Sequence, residues 1–197
     1  MSVPNVKRRV GQEARGRRRV VTVIGSGRTA DPHSAEVGRL IAALGFDLLT
    51  GGGRGVMEAV SRAFFETSPR AGIVIGVVPA AVEPLSAIEE RRETPVEYDL
   101  PAGYPNPWVE IAIYTHLPDS GREGTLRSSR NHINVLSADA ILALPGGDGT
   151  EAEMWLAMQY GVPIIAYGEH GAIVPYGIER ARTLMEVQEF LARHVLP

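Results

Sequence analysis

Apolar residues along the chain fall into two alternating patterns. Val20-Val21-Thr22-Val23-Ile24 is an uninterrupted, β-branched run that stops at Gly25, the pattern of a strand buried on both faces. From 34 to 44 apolar side chains recur at Val37, Leu40, Ile41 and Leu44, the spacing of one helix face. Asp31-Pro32 supplies an N-cap and a first-turn proline for that helix, and Gly45 stops it. The same alternation predicts strands over 46–50, 73–78, 109–114, 140–144 and 162–167, with helices over 56–66, 123–136, 150–160 and 178–194. The stretch 79–107 differs. Its six prolines (79, 84, 95, 101, 105 and 107) break any period, so it reads as a long excursion over a sheet edge.

Strands that alternate with helices build right-handed βαβ units and a parallel sheet covered on both faces. The expected fold is therefore α/β: a Rossmann-like, three-layer, doubly wound parallel sheet. The 197 residues suffice for one domain, placed over 20–197.

Charge adds an N-terminal feature. Residues 1–19 carry seven basic side chains and the single acid Glu13, a net +6 against −9 for the remainder. That composition reads as a disordered basic tail, and the acidic body argues against nucleic acid as the main ligand. No apolar run approaches the length of a membrane span, and no apolar segment follows the basic start as in a signal peptide. A cytoplasmic protein is expected. With no cysteine, thiol chemistry and cysteine zinc sites are excluded. Lys7, inside the tail, is the only lysine in the chain. A Schiff base to pyridoxal phosphate and a Walker-type P-loop both need a lysine held in the fold, so neither fits. The histidines show no metal-ligand spacing, and no G-x-S-x-G elbow occurs. Neither a metal nor a cofactor is assigned.

Ligands of open parallel sheets bind beyond the carboxyl ends of the strands, and three glycine turns fall there. Gly25-Ser26-Gly27-Arg28-Thr29-Ala30 fits the loose dinucleotide pattern. The acid that would hold a ribose at the end of the second strand is absent, however, and Thr50 stands there instead. Gly51-Gly52-Gly53-Arg54-Gly55-Val56-Met57 is more specific, because three successive glycines are hard to explain by packing. Pro145-Gly146-Gly147-Asp148-Gly149-Thr150 is the strongest, with Glu153 one helical turn past Thr150 and facing the same mouth. Backbone N–H groups at such helix starts favour a phosphate. Glu153 suits a hydroxyl pair or a developing positive charge. Arg127 and Arg130 stand three residues apart on one predicted helix face that borders the cleft, next to Asn131.

GGGRGVMEAV followed by SRNHINVLSADAILALPGGDGTEAE resembles the lonely-guy (LOG) family, often labelled lysine decarboxylases. Arg130 and Asp139 keep the family's spacing, and residues 145–153 match its second motif. The resemblance covers about residues 20–168. It implies an enzyme that releases a free base from a nucleoside 5′-monophosphate, leaving ribose 5-phosphate. Arg130 and Glu153 would be catalytic, and Gly147, Gly149 and Thr150 would hold the phosphate. It also implies a homodimer. The lysine count separately excludes the decarboxylase label. Asn131 stands where the family usually has lysine. Together with Pro105-Asn106-Pro107-Trp108-Val109-Glu110 it resembles a sister branch, the molybdenum-cofactor carrier proteins, which bind a phosphorylated pterin without turning it over. Two readings follow: a phosphoribohydrolase, or a carrier of a phosphorylated pterin or nucleotide. Both place a small phosphorylated ligand on Gly25, Ser26, Gly51, Gly52, Gly53, Met57, Asn131, Pro145, Gly146, Gly147, Asp148, Gly149 and Thr150.

Overall fold

The computed structural model describes residues 17–81, 98–170 and 174–196. Seven parallel strands form one sheet: β1 Val20–Ile24, β2 Asp47–Thr50, β3 Val74–Val78, β4 Ile111–Tyr114, β5 Ala140–Ala143, β6 Ile164–Tyr167 and β7 Glu179–Ala181. The helices are α1 Ser34–Ala43, α2 Val56–Phe65, α3 Asn131–Ser137, α4 Asp148–Tyr160 and α5 Leu184–His194. The strand order is β4-β3-β2-β1-β5-β6-β7. Winding proceeds outward from β1 in one direction and resumes from β5 in the other. The carboxyl ends of β1 and β5 therefore flank a switch point, where a crevice opens.

Side-chain alternation sends successive residues of each strand to opposite faces. Val21, Val23, Leu48, Val74, Leu142 and Ile165 join α1, α2 and α5 in one buried cluster, which includes Ile41, Phe64 and Phe190. Ile24, Ile141, Ala143 and Ile164 join α3 and α4 in the other, with Val135, Met154 and Leu156. The three-layer architecture is thus the expected one. Among the described residues no helix is long and apolar enough to cross a membrane.

Several local expectations are corrected. The helix predicted over 123–136 is helical only from Asn131; a short 3-10 turn, Gly121–Glu123, precedes it. Local polar bonds compete with the helix here: Ser128 Oγ donates to the Asp119 carboxylate, and Ser129 Oγ accepts from the Asn131 N–H. Arg127 and Arg130 consequently do not share a helix face, and Arg130 is the residue that caps α3. The single helix predicted over 178–194 splits into edge strand β7 and α5, which starts at a capping box between Thr183 and Glu186. Asp31 is not the cap of α1. Its carboxylate accepts from the His33 N–H, and His33 is the cap.

Of the basic arm, residues 1–16 lie outside the described residues, as do residues 82–97 of the proline-rich excursion. Arg17 to Arg19 are held against the amino ends of the strands. Arg17 pairs with Asp139 at 2.6 Å and Arg18 with Asp47 at 2.9 Å. Asp139 also accepts from the Val20 N–H at 2.8 Å, so this acid fastens the start of β1 at the end of the sheet opposite the crevice. Asp139→Ala is expected to cost about 1 kcal/mol of stability and to leave ligand binding unchanged. Urea unfolding beside a binding titration checks both.

Candidate functional site

The crevice at the switch point is a cleft of about 550 Å³, within the usual size range for a small-molecule site. All three glycine turns reach it, and Ser26 joins them. Its N–H donates to the Pro145 carbonyl at 3.0 Å, and its own carbonyl accepts from the Val56 N–H at 2.9 Å. Its hydroxyl accepts from the N–H groups of Arg28 and Thr29, each at 3.2 Å, which closes the first turn on itself.

In the second turn, Gly51 is glycine because of Arg130. A Cβ at Gly51 would stand 2.1 Å from Arg130 Nη1 and 2.5 Å from Nη2. The guanidinium thus lies directly against the turn's backbone. Arg130 is only 6% exposed, and among the described residues neither Nε nor Nη1 has a hydrogen-bond partner. A buried cation with idle donors is costly unless an anion meets it. The rest of the turn faces inward: the Gly52 N–H donates to Thr50 Oγ1 at 3.1 Å, and Gly53 accepts from Asn106 Nδ2 at 2.9 Å.

In the third turn, α4 begins at Asp148, two residues earlier than its periodicity suggests. The first intrahelical bond of that turn runs from the Glu151 N–H to the Gly147 carbonyl at 3.0 Å, so the N–H groups before it remain for a ligand. The exposed Asp148 carboxylate pairs with Arg122 at 2.7 Å.

Glu153 lies one turn further along α4, 8% exposed, and its Oε1 accepts from Asn134 Nδ2 at 2.9 Å. Burial pushes its carboxyl above the ordinary 4.5, and the Arg130 charge and the Asn134 hydrogen bond pull it back only in part. The folded protein therefore holds this proton to a higher pH than the unfolded chain does. Between the ordinary value near 4.5 and the raised one, the folded state binds more protons, so stability falls as pH rises through that window and then levels off. In Glu153→Gln this fall is expected to disappear, leaving the variant the more stable protein at neutral pH. Unfolding curves from pH 4 to 8 check the sign.

Of the expected site residues, the structure brings Gly25, Ser26, Gly51, Met57, Arg130, Asn131, Gly147, Asp148, Gly149, Thr150 and Glu153 to the wall of one cleft. Gly52, Gly53, Pro145 and Gly146 are outside that lining and shape the turns from behind. Tyr104, Arg28, Ser120 and Gly121 also line the cleft, and sequence reasoning did not single them out. For Tyr104 the available signal was the neighbouring Pro105-Asn106-Pro107-Trp108 segment.

A family profile described as the SLOG cluster4 family matches residues 18–192. No curated protein matches the sequence. Among solved structures, the molybdenum cofactor binding protein of Rippkaea orientalis superposes with a TM-score of 0.66 at 26% identity, over 90% of this chain and 98% of that one. The molybdenum cofactor carrier protein of Chlamydomonas reinhardtii gives 0.61 at 27% identity, over 89% and 99%. DNA processing protein A of Helicobacter pylori, at 14% identity and a TM-score of 0.58 over 89% and 80%, shares the fold alone. The profile spans the whole sheet and every turn of the cleft, and the chain belongs to the SLOG cluster4 family.

Proposed function

We propose that the cleft holds a small phosphorylated heterocycle, of which a phosphorylated pterin such as the molybdenum cofactor is the best candidate, and that the protein carries this ligand without consuming it. The observation behind the reading is Arg130, a buried guanidinium with idle Nε and Nη1 donors, in the same cleft as the start of α4. A phosphate near both would meet the free N–H groups of the helix and the idle guanidinium donors. The two carrier and binding proteins similar over nearly their full length supply the pterin.

Glu153 favours a second reading, a nucleoside 5′-monophosphate phosphoribohydrolase. In that reaction the N-glycosidic bond breaks, water oxygen bonds to C1′, and the base leaves with the proton, giving ribose 5-phosphate. Glu153, held by Asn134, would face the positive charge that develops on the ribose.

Purified protein incubated with a phosphorylated pterin and with a panel of nucleoside monophosphates, followed by chromatography, separates the two. The carrier reading expects bound ligand recovered intact from wild type and from Glu153→Gln alike. Release of free base by wild type, lost about 100-fold in Glu153→Gln, establishes the hydrolase instead. A homodimer, expected from the resemblance, is tested by light scattering.

A further inference from the structure

The second glycine turn is bare on two sides. Gly51 leaves room for Arg130, and Gly53 leaves room for Tyr104. A Cβ at Gly53 would stand 2.6 Å from Tyr104 Cζ, 2.7 Å from its hydroxyl oxygen and 2.8 Å from Cε1. The phenol therefore lies across the Gly53 backbone, and its ring forms part of the cleft wall.

The ring is held there. Asn106, 3% exposed, donates its N–H to the Gly52 carbonyl at 2.7 Å and its Nδ2–H to the Gly53 carbonyl at 2.9 Å. Its Oδ1 accepts from the Trp108 N–H at 3.1 Å, and the Trp108 ring packs against Phe65 of α2, centroid to centroid 5.7 Å. On the other side, the Tyr104 N–H donates to Pro101 at 3.1 Å. Gly103, at φ +89°, lies so close to Arg54 that a Cβ would stand 2.5 Å from Nε. Two segments fifty residues apart in sequence are thus locked together, and the aromatic ring they present to the cleft is only half-buried. Among the described residues its hydroxyl shows no hydrogen bond that would account for this placement.

We infer that Tyr104 is a specificity-determining residue that contacts the flat ring system of the ligand, so that the cleft selects phosphorylated aromatic heterocycles over phosphorylated sugars. Arg130 and the α4 turn supply affinity for phosphate, which any phosphate ester satisfies. Tyr104 supplies the part that depends on the ring, because an aromatic face gains from a planar π-system what it does not gain from an alkyl or sugar group. This inference rests on the phosphorylated-ligand reading and adds to it the class of group attached to the phosphate.

Calorimetric titrations of full-length protein with ribose 5-phosphate, GMP and 6-hydroxymethylpterin phosphate test it, because ribose 5-phosphate is GMP without its base. Wild type is expected to bind the tighter of the two ring-bearing ligands at least about tenfold better than ribose 5-phosphate. Tyr104→Ala should lose about that factor for the ring-bearing ligand and leave ribose 5-phosphate unchanged. Tyr104→Phe should bind within about twofold of wild type. Thermal melts confirm that each variant is folded. An unchanged ratio in Tyr104→Ala overturns the role of Tyr104 and leaves the phosphate site standing. Failure of wild type to bind any of the three overturns the phosphorylated-ligand reading, and this inference with it.

Discussion

Arg130→Met is expected to weaken binding of a phosphorylated ligand about 100-fold or more, and yet to leave the ligand-free protein as stable as wild type or more so. The two effects have one cause. In the free protein, Arg130 is 6% exposed and two of its guanidinium nitrogens have no partner among the described residues. Each buried donor left idle costs about 1–3 kcal/mol, so replacing the charge by an apolar side chain of similar length relieves a penalty. The Glu153 carboxyl, which burial biases towards its neutral form, can take up a proton when the Arg130 charge is gone. When a phosphate arrives, the same donors form charge-assisted hydrogen bonds out of water, and truncating one partner of such a pair costs about 2–5 kcal/mol. Arg130→Lys should recover only part of the affinity. An ammonium presents a point charge, whereas the guanidinium presents a planar fork already laid against Gly51. Calorimetric titration and thermal unfolding of the three proteins check both signs. An Arg130→Met protein that binds normally, or that is strongly destabilised without ligand, contradicts this account of the residue.

The second large effect is expected at Gly146. A Cβ there would stand 2.0 Å from Thr150 Oγ1, 2.8 Å from Thr150 Cβ and 2.9 Å from the Ser26 N–H nitrogen. Two of the three glycine turns meet at that point, and the bond from Ser26 to Pro145 runs beside it. Gly146→Ala therefore has to push the start of α4 away from the first turn, and is expected to lose at least about 100-fold in affinity, as displaced catalytic or binding groups do. Gly147→Ala is the control. A Cβ at Gly147 meets nothing within 4 Å, and its backbone is extended, so the free protein should be unaffected within about 0.5 kcal/mol. Any loss of binding in that variant then comes from a ligand lying over the turn. Titrating both variants with the same phosphorylated ligand distinguishes a damaged turn from an occupied one.

The inner strands β1, β2, β3, β5 and β6 were legible because they are short, mostly Val, Ile, Leu and Ala runs buried on both faces, the composition such burial demands. The three glycine turns were legible for a related reason: glycine clusters between a strand and a helix have few purposes other than close approach of a backbone. Where the chain is less periodic, the reading missed structure. Glu179-Arg180-Ala181 carries no strand pattern and pairs with β6 only because the sheet offers an open edge. Gly124, Ser128 and Ser129 sit within an otherwise helical pattern, and their local hydrogen bonds decide against the helix. Arg130 was found through its spacing, but its burial was not foreseen, because burial depends on Gly51, which is almost eighty residues earlier. Tyr104 was missed for the same reason, although the Pro105-Asn106-Pro107-Trp108 segment beside it was noticed. Its position is fixed by Asn106 bonding to Gly52 and Gly53 across the fold, and no local pattern encodes a contact of that range. The sequence alone put hydrolysis ahead of carriage, on the match of Arg130 and Glu153. Likeness to carrier and binding proteins over about nine-tenths of the chain is the ground on which carriage is proposed ahead of hydrolysis here.

Whether this cleft receives a phosphate between α4 and Arg130 is decided by a crystal structure grown with saturating phosphorylated pterin or GMP. The phosphate oxygens are expected about 3 Å from the N–H groups of the Gly147–Thr150 turn, with at least one reaching the Arg130 guanidinium. A phosphate bound elsewhere on the molecule, or an empty cleft at saturating ligand, would contradict this placement.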